Sequence, residues 1–212
     1  MRVVSVNVGM PREVEWNRKK VLTGIFKSPV AAKLTVRRLN IDGDGQADLT
    51  VHGGPDKAVY AYPNEHYGPW SERLDRELTA GIFGENLTTA GLLEDEVHIG
   101  DEFRVGTARL VVTQPRLPCF KLGIRFDDPG MVKSFVQAGK PGIYFAVLEE
   151  GVVGPGDPIE RIAEDPSRIT VAEMFSLVLD RDPAPAALRR LLGVPSLAAV
   201  WRKELEERLG RV

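Results

Sequence analysis

One segment of the sequence combines a reactive sulfur, a stiff backbone and nearby cations. It reads Gln114-Pro115-Arg116-Leu117-Pro118-Cys119-Phe120-Lys121-Leu122 and contains the only cysteine of the chain. The two prolines restrict the backbone, so we expect the thiol to be held in a defined place. Positive charge on Arg116, Lys121 and Arg125 favours the thiolate, which attacks electrophiles and binds soft metals. The alternative is a buried structural cysteine, the commoner fate of a lone one.

A second segment, from Asp48 to Ala58, is rich in glycine and includes His52-Gly53-Gly54-Pro55-Asp56-Lys57. The glycine pair would let backbone amides approach an anion closely, Lys57 would add positive charge, and His52 could donate a hydrogen bond or a proton. The segment leads into a strand and therefore lacks the helix N-terminus that strengthens familiar phosphate loops. A tight turn with a solvated lysine is the alternative interpretation.

The third segment is Phe83-Gly84-Glu85-Asn86-Leu87-Thr88, between a predicted helix and the next predicted strand. The side chain of Asn86 offers a donor and an acceptor that could hold the edge of a heterocycle. The alternative is a turn closed by an Asx hydrogen bond. The local sequence favours neither.

Short strands, joined by turns, must position these three segments. Apolar periodicity and turn residues predict strands around Val4, Val6 and Val8, at Lys33 to Leu39, at Ala58 to Tyr62, in a hairpin from Val97 to Thr113, at Ile143 to Leu148 and at Ile159 to Ile162. Helices are predicted at Trp70, Leu74 and Leu78 and at Met131 to Ala138. Residues 11 to 33 look irregular, and Asp42-Gly43-Asp44-Gly45 predicts a turn.

The composition changes near residue 164, where the pattern becomes helical. Thr170 and Glu173 have the spacing of a capping box, which predicts a first helix. Leucines before Gly193 predict a second helix, and Ser196 a third. Three short helices could form a DNA reader, but residues 164 to 212 hold eight basic and eight acidic residues. That balance favours a docking or dimerising appendage.

Composition bounds the class of protein. The 212 residues are 43% apolar and 27% charged, which suits one sizeable core, and the net charge of −2 provides no overall attraction for nucleic acid. One cysteine excludes an internal disulfide framework and multi-cysteine metal motifs. With no apolar run of roughly 20 residues and no signal-peptide pattern, we expect a cytoplasmic protein. The signatures of common hydrolases, kinases and zinc proteases are absent.

Taken in order, the three segments resemble the MOSC domain, which is shared with the C-terminus of molybdenum cofactor sulfurase, and in particular its YiiM-like bacterial group. The resemblance covers nearly the whole chain, because that group also carries a C-terminal three-helix extension. It implies a mainly β fold with peripheral helices (α+β): a closed β-barrel over residues 1–163, followed by a small three-helix subdomain over residues 164–212.

The resemblance also implies a site. Cys119 would ligate or contact the molybdenum of a pyranopterin dithiolene cofactor, and Arg116 or Lys121 would neutralise the phosphate of that cofactor. By the same matching, the pocket would be lined by His52, Lys57, Glu85 and Asn86.

The activity associated with these relatives is the reduction of N-hydroxylated compounds, such as hydroxylaminopurine bases, to amines. Cys119 would tune the metal and His52 would supply a proton. The sequence has no Gly-x-Gly-x-x-Gly and too few cysteines for an iron–sulfur cluster, so a separate flavin or NAD(P)H reductase is expected as electron donor. The alternative function is a carrier or insertase that delivers the molybdenum cofactor, or a persulfide on Cys119, without turnover. Whether the helical extension docks on its own chain or builds a homodimer is left open.

Overall fold

A computed structural model describes residues 1–48 and 53–210 of the chain. The strands in those ranges are β1 (Arg2–Val8), β2 (Arg12–Trp16), β3 (Lys19–Thr23), β4 (Ser28–Val30), β5 (Leu34–Val36), β6 (Val59–Pro63), β7 (Leu87–Ala90), β8 (Glu102–Val105), β9 (Ala108–Pro115), β10 (Ile143–Glu149), β11 (Gly151–Val153) and β12 (Ile159–Ala163). The helices are α1 (Tyr67–Leu74), α2 (Phe120–Phe126), α3 (Met131–Ala138), α4 (Val171–Leu179), α5 (Pro185–Leu192) and α6 (Ala199–Leu209).

Eight strands form one sheet in the order β12-β8-β9-β10-β6-β7-β1-β4. Neighbours are antiparallel except β6 and β7, which run parallel. Two further pairs, β2 with β3 and β5 with β11, lie outside this sheet. One face of the main sheet packs a core that includes Val6, Phe103, Leu110 and Phe145. The sheet thus brings the end of β9, which leads to Cys119, next to β10 and, beyond it, β6.

The predicted closed barrel is wrong. The sheet has two different edge strands, β12 and β4, and the fold is a mixed α+β architecture with six helices in the described residues. Arg2 at the start of β1 forms an isolated bridge with Pro158 just before β12, and a few backbone hydrogen bonds flank it, such as that from the Val3 amide to the Asp157 carbonyl, but β1 and β12 are not paired as neighbouring strands. Because a proline has no N–H, Pro158 cannot donate a ladder hydrogen bond there.

The N-terminal region departs from its predicted pattern. The alternation of Val4, Val6 and Val8 predicts that these three share the buried face of β1, and this is wrong. The fully buried valines are Val3 and Val6. A bulge between Val3 and Ser5 shifts the register there. The stretch predicted as irregular contains the hairpin β2–β3. Its turn residues Asn17 and Arg18 are both left-handed (φ 51° and 61°), as a type I′ hairpin turn requires.

Most strands and helices after residue 57 are confirmed. β6 is buried along its whole length, β8 and β9 form the predicted hairpin, and α3 has the predicted bounds. Helix α1 is shorter than predicted. It ends at Leu74 because Asp75 adopts a left-handed conformation (φ 48°), so Leu78 lies beyond it.

The three C-terminal helices are present. Thr170 caps α4 as predicted, with its hydroxyl accepting from the Glu173 amide at 3.0 Å. Helix α6 begins at Ala199, three residues after the predicted start at Ser196. Apolar side chains of all three helices, such as Met174, Leu188 and Leu205, belong to the same core as the main sheet. The boundary between residues 163 and 164 remains a prediction. No helix in the described ranges is long and apolar enough to cross a membrane.

Candidate functional site

A cavity opens beside the C-terminal end of β9. The empty space of the cavity, including its open mouth, is about 660 Å³. Its lining consists of Thr23, Gly24, Ile25 and Lys27; Asp44, Gly45, Gln46 and Ala47; Lys57 and Tyr60; Gly84 and Asn86; Arg116, Leu117, Cys119 and Lys121; and Tyr144. All three segments singled out in the sequence therefore contribute to one cavity.

The described lining of the cavity is strongly cationic. It holds four basic side chains, Lys27, Lys57, Arg116 and Lys121, and one carboxylate, that of Asp44. The chain as a whole is close to neutral, so this concentration of positive charge is local. Such a lining favours an anionic ligand.

Cys119 lies between a strand and a helix. β9 ends at Pro115, α2 begins at Phe120, and the intervening Cys119 is extended (φ −120°, ψ 173°) and half-buried. Its carbonyl accepts from the Leu122 amide at 2.9 Å, which ties the residue to the first turn of α2. The structure thus places Cys119 on the cavity lining, together with Arg116 and Lys121.

The guanidinium of Arg116 is buried and fixed in the cavity wall. One Nη donates to the carbonyl of Phe83, and the group lies over the ring of Tyr60, with its Cζ 4.9 Å from the ring centroid. Burial raises the pKa of Tyr60 well above its ordinary value, although Arg116 opposes the shift, so the phenol stays protonated. Tyr60 donates to the carbonyl of Pro141 at 2.8 Å.

The two predicted lysines line the same cavity. Lys121 lies in the first turn of α2, and Lys57 ends a short 3-10 turn, Pro55–Lys57, that follows Gly54. Burial lowers the pKa of Lys57, and the adjacent carboxylate of Asp56 opposes this. Arg125, one turn beyond Lys121, instead stacks over the ring of Phe26 (5.3 Å to the centroid) and is not part of the cavity lining.

A buried polar network was missed by the sequence analysis. The ammonium of Lys27 donates to one carboxylate oxygen of Asp44, and the Asn86 amide donates to the other at 2.9 Å. The backbone amide of Gly9 adds a third donor at 3.0 Å. Burial lowers the pKa of Lys27, while Asp44 opposes the shift. We call these three side chains the Lys27–Asp44–Asn86 network. No local sequence signal marks it, because Asp44 lies in a turn motif and Lys27 in the stretch predicted as irregular.

Glu85 and Asn86, the two predicted pocket residues of the third segment, have structural partners. Asn86 lines the cavity, but its side-chain oxygen also accepts from the Tyr60 amide at 3.1 Å. Glu85 is fully buried and does not line the cavity. Its carboxylate accepts from the Gly81 amide (2.7 Å), the Phe83 amide (3.1 Å), the Thr88 hydroxyl (2.7 Å) and the Tyr67 hydroxyl. Burial raises the pKa of Glu85, and these donors oppose the shift.

The predicted proton donor, His52, lies outside the described residues, so its position relative to Cys119 stays a prediction.

Comparison with known proteins identifies the family. Residues 48–160 match the MOSC domain, and residues 169–211 match the YiiM-like, 3-alpha helix domain. The chain belongs to the MOSC domain family. It is 43% identical over 210 residues to YflK of Bacillus subtilis (strain 168), covering 99% of this chain and 95% of that protein. It is 35% identical to the protein YiiM of Escherichia coli (strain K12), covering 88% of this chain and 84% of that protein.

A solved structure and a more distant relative extend the comparison. The crystal structure of YiiM from Geobacillus stearothermophilus superposes with a TM-score of 0.84 at 38% identity, covering 98% of both chains. A protein of Gibberella moniliformis (strain M3125 / FGSC 7600) named reductase is 33% identical over 144 residues, which are 66% of this chain but only 26% of that protein. This MOSC protein therefore shares the YiiM fold along nearly its whole length.

Proposed function

We propose that this MOSC protein holds a molybdenum–pterin cofactor in the cationic cavity and uses it to reduce N-hydroxylated compounds, such as hydroxylaminopurine bases, to amines. The observation that carries the proposal is the shared lining: a half-buried thiol and four basic side chains meet in one cavity. A thiolate suits a soft metal centre, and the cations suit a phosphate, so the residues fit such a cofactor. When bound, the cofactor would supply the two-electron redox chemistry.

Each predicted site residue that the structure describes has a task in this proposal. Cys119 would ligate the metal from the short connection between β9 and α2. Arg116, already locked by Phe83 and Tyr60, would offer a fixed charge to the phosphate, whereas Lys121 and Lys57 would add charge at other points of the lining. Asn86 would help to shape the wall. Glu85 would act from beneath, by fixing the loop that precedes Asn86.

The overall reaction needs two electrons and two protons for each N–O bond that is converted to N–H and water. We propose His52 as a proton donor. The chain has a single cysteine, which cannot hold an iron–sulfur cluster, so the electrons would come from a separate flavin or NAD(P)H reductase. The relative named reductase, most of whose length lies outside the matched region, supports a link between this domain and reductive chemistry.

The test is turnover of 6-hydroxylaminopurine with a chemical electron donor, using protein from a host that makes the cofactor. We expect conversion to adenine by the wild type and loss of at least a hundredfold in Cys119→Ala. Phe120→Ala is the matched control, because Phe120 is the adjacent residue, is exposed and does not line the cavity. Equal turnover in Cys119→Ala would remove the thiol from the mechanism.

A different outcome would favour the carrier function. If no N–O substrate is turned over and mass spectrometry finds an extra, transferable sulfur on Cys119, the protein delivers the cofactor or sulfur to another enzyme.

A further inference from the structure

The carboxylate of Asp56 caps a helix far away in the sequence. Its Oδ2 accepts from the backbone amide of Ala199, the first residue of α6, at 2.9 Å and across 143 residues of chain. The residue at the N-cap position of α6 is Ala198, which has no side-chain oxygen to satisfy the first amides of the helix. The N-terminus of α6 therefore depends on the Asp56 side chain for this contact.

The backbone of Asp56 is held as well. Its carbonyl accepts from the Thr113 hydroxyl at 2.7 Å and from the side-chain amide of Gln114 at 3.3 Å. The oxygen of that Gln114 amide accepts from the indole nitrogen of Trp201, in α6, at 2.8 Å. Two separate hydrogen-bond routes thus lead from α6 to Asp56, one direct and one through Gln114.

Asp56 is the immediate neighbour of Lys57, which lines the cavity. Gln114 belongs to β9, which leads to Arg116 and Cys119 on the same lining. Asp56 and Gln114, which accept hydrogen bonds from α6, therefore lie just before lining residues of the cavity in the chain.

We propose that the C-terminal helices position the cavity, by holding Lys57 in place through hydrogen bonds from Ala199 and Trp201 to Asp56 and Gln114. We call these four residues the α6 brace. The brace acts on Lys57. The positioning residues are Asp56, Gln114 and Trp201, and Lys57 is the residue that they hold in place. The identity of the ligand that Lys57 meets rests on the proposed function, but the brace itself does not.

The brace gives the C-terminal extension a role in the cavity. Residues 164–212 carry equal numbers of acidic and basic residues, and three of their helices share the core of the main sheet. Their contacts with Asp56 and Gln114 give the extension a direct effect on the cavity, without any contact between the helices and the ligand.

The test measures the reactivity of Lys57 in protein prepared without molybdenum. Competitive labelling with an amine-specific reagent, read by mass spectrometry at several pH values, reports both the accessibility and the titration of Lys57. Trp201→Phe keeps the ring and removes the indole N–H. We expect labelling of Lys57 to change by roughly two- to tenfold, the equivalent of one hydrogen bond. Trp16→Phe, at the turn end of the hairpin β2–β3 and outside the cavity lining, is the matched control and should leave Lys57 labelling unchanged.

A double-mutant cycle separates the brace from general loosening. Gln114→Met interrupts the indirect route at its middle, so this single variant should by itself change the labelling of Lys57. Adding Trp201→Phe to Gln114→Met should then have no further effect. Unchanged labelling in both single variants, with the helix content of the wild type retained, would overturn the brace. Fully additive effects would overturn it too, because they would mean that Trp201 and Gln114 act independently.

The same protein distinguishes this inference from the proposed function. Coupled labelling without any N–O turnover in the loaded wild type would keep the brace and discard the activity. Turnover of the N–O substrate, with Lys57 labelling that does not depend on Trp201 and Gln114, would keep the activity and discard the brace.

Discussion

The Lys27–Asp44–Asn86 network and the Leu117–Lys121 segment line the same cavity but are built differently. In the network, the Asp44 side chain is 1% exposed and accepts three hydrogen bonds. In the segment, Leu117 is 40% exposed and Cys119 is half-buried. The network therefore maintains the shape of the cavity through polar contacts inside the protein. The segment presents reactive groups, and its exposed side chains contribute little to stability.

The largest expected effect on stability comes from removing the cation of the network. Lys27→Met removes the ammonium and leaves the buried Asp44 carboxylate without its cation, so we expect the free energy of unfolding to fall by about 3–5 kcal/mol. Urea denaturation measures this. Lys121→Met, the matched change on the segment, should alter it by no more than about 0.5 kcal/mol. Equal losses of stability in the two variants would contradict the proposed difference between the network and the segment.

A second variant sharpens that result. Adding Asp44→Leu to Lys27→Met removes the unpaired charge, and we expect it to restore part of the lost stability. A double variant less stable than Lys27→Met would show that the carboxylate stabilises the fold through Gly9 and Asn86 alone.

Glu85 gives a smaller effect with a defined pH dependence. Burial raises its pKa in the folded chain, so its contribution to stability is fully present below the unfolded value near 4.5 and is lost as pH rises through the folded value. Glu85→Gln does not titrate, although its amide faces donors and costs about 1–3 kcal/mol. The stability advantage of the wild type over this variant should therefore shrink as pH rises from 4 to 8. An advantage that grows over that range would contradict the assignment.

The smallest effect on stability should accompany a clear effect on binding. Lys121→Met leaves the fold intact, but it removes one of four cations from the lining. We expect inorganic pyrophosphate to bind the metal-free variant several-fold more weakly than the wild type, with a shallower dependence on salt. Lys133→Met, on helix α3 and outside the lining, should bind it as the wild type does. Isothermal titration calorimetry at two salt concentrations checks both.

The sequence predicted those strands, turns and helix caps that depend on neighbouring residues in the chain. The unbroken apolar run of β6, the glycine turn between β8 and β9 and the Thr170 cap of α4 each depend on residues next to one another, and each is confirmed. The hairpin β2–β3 was missed because its strands are only 5 residues each and bury no apolar side chain fully, so the alternation of Val14 and Trp16 with glutamates is too short to stand out.

The site was predictable in part for the same reason. Arg116, Cys119 and Lys121 lie in one short motif, and the structure places all three on the cavity. The pairing of Lys27 with Asp44, the capping of α6 by Asp56 and the edges of the main sheet join residues far apart in the chain. Those contacts depend on the folded arrangement of whole strands, which no local pattern contains.

The most direct measurement is the molybdenum content of the purified protein. Wild type, Cys119→Ala and Phe120→Ala would be prepared side by side from a host that makes the cofactor, and analysed for metal and for pterin fluorescence. We predict close to one molybdenum per chain in the wild type and in Phe120→Ala, and a loss of most of the metal in Cys119→Ala. A wild type without molybdenum, or a Cys119→Ala variant that retains all of it, would contradict the assignment of the cavity.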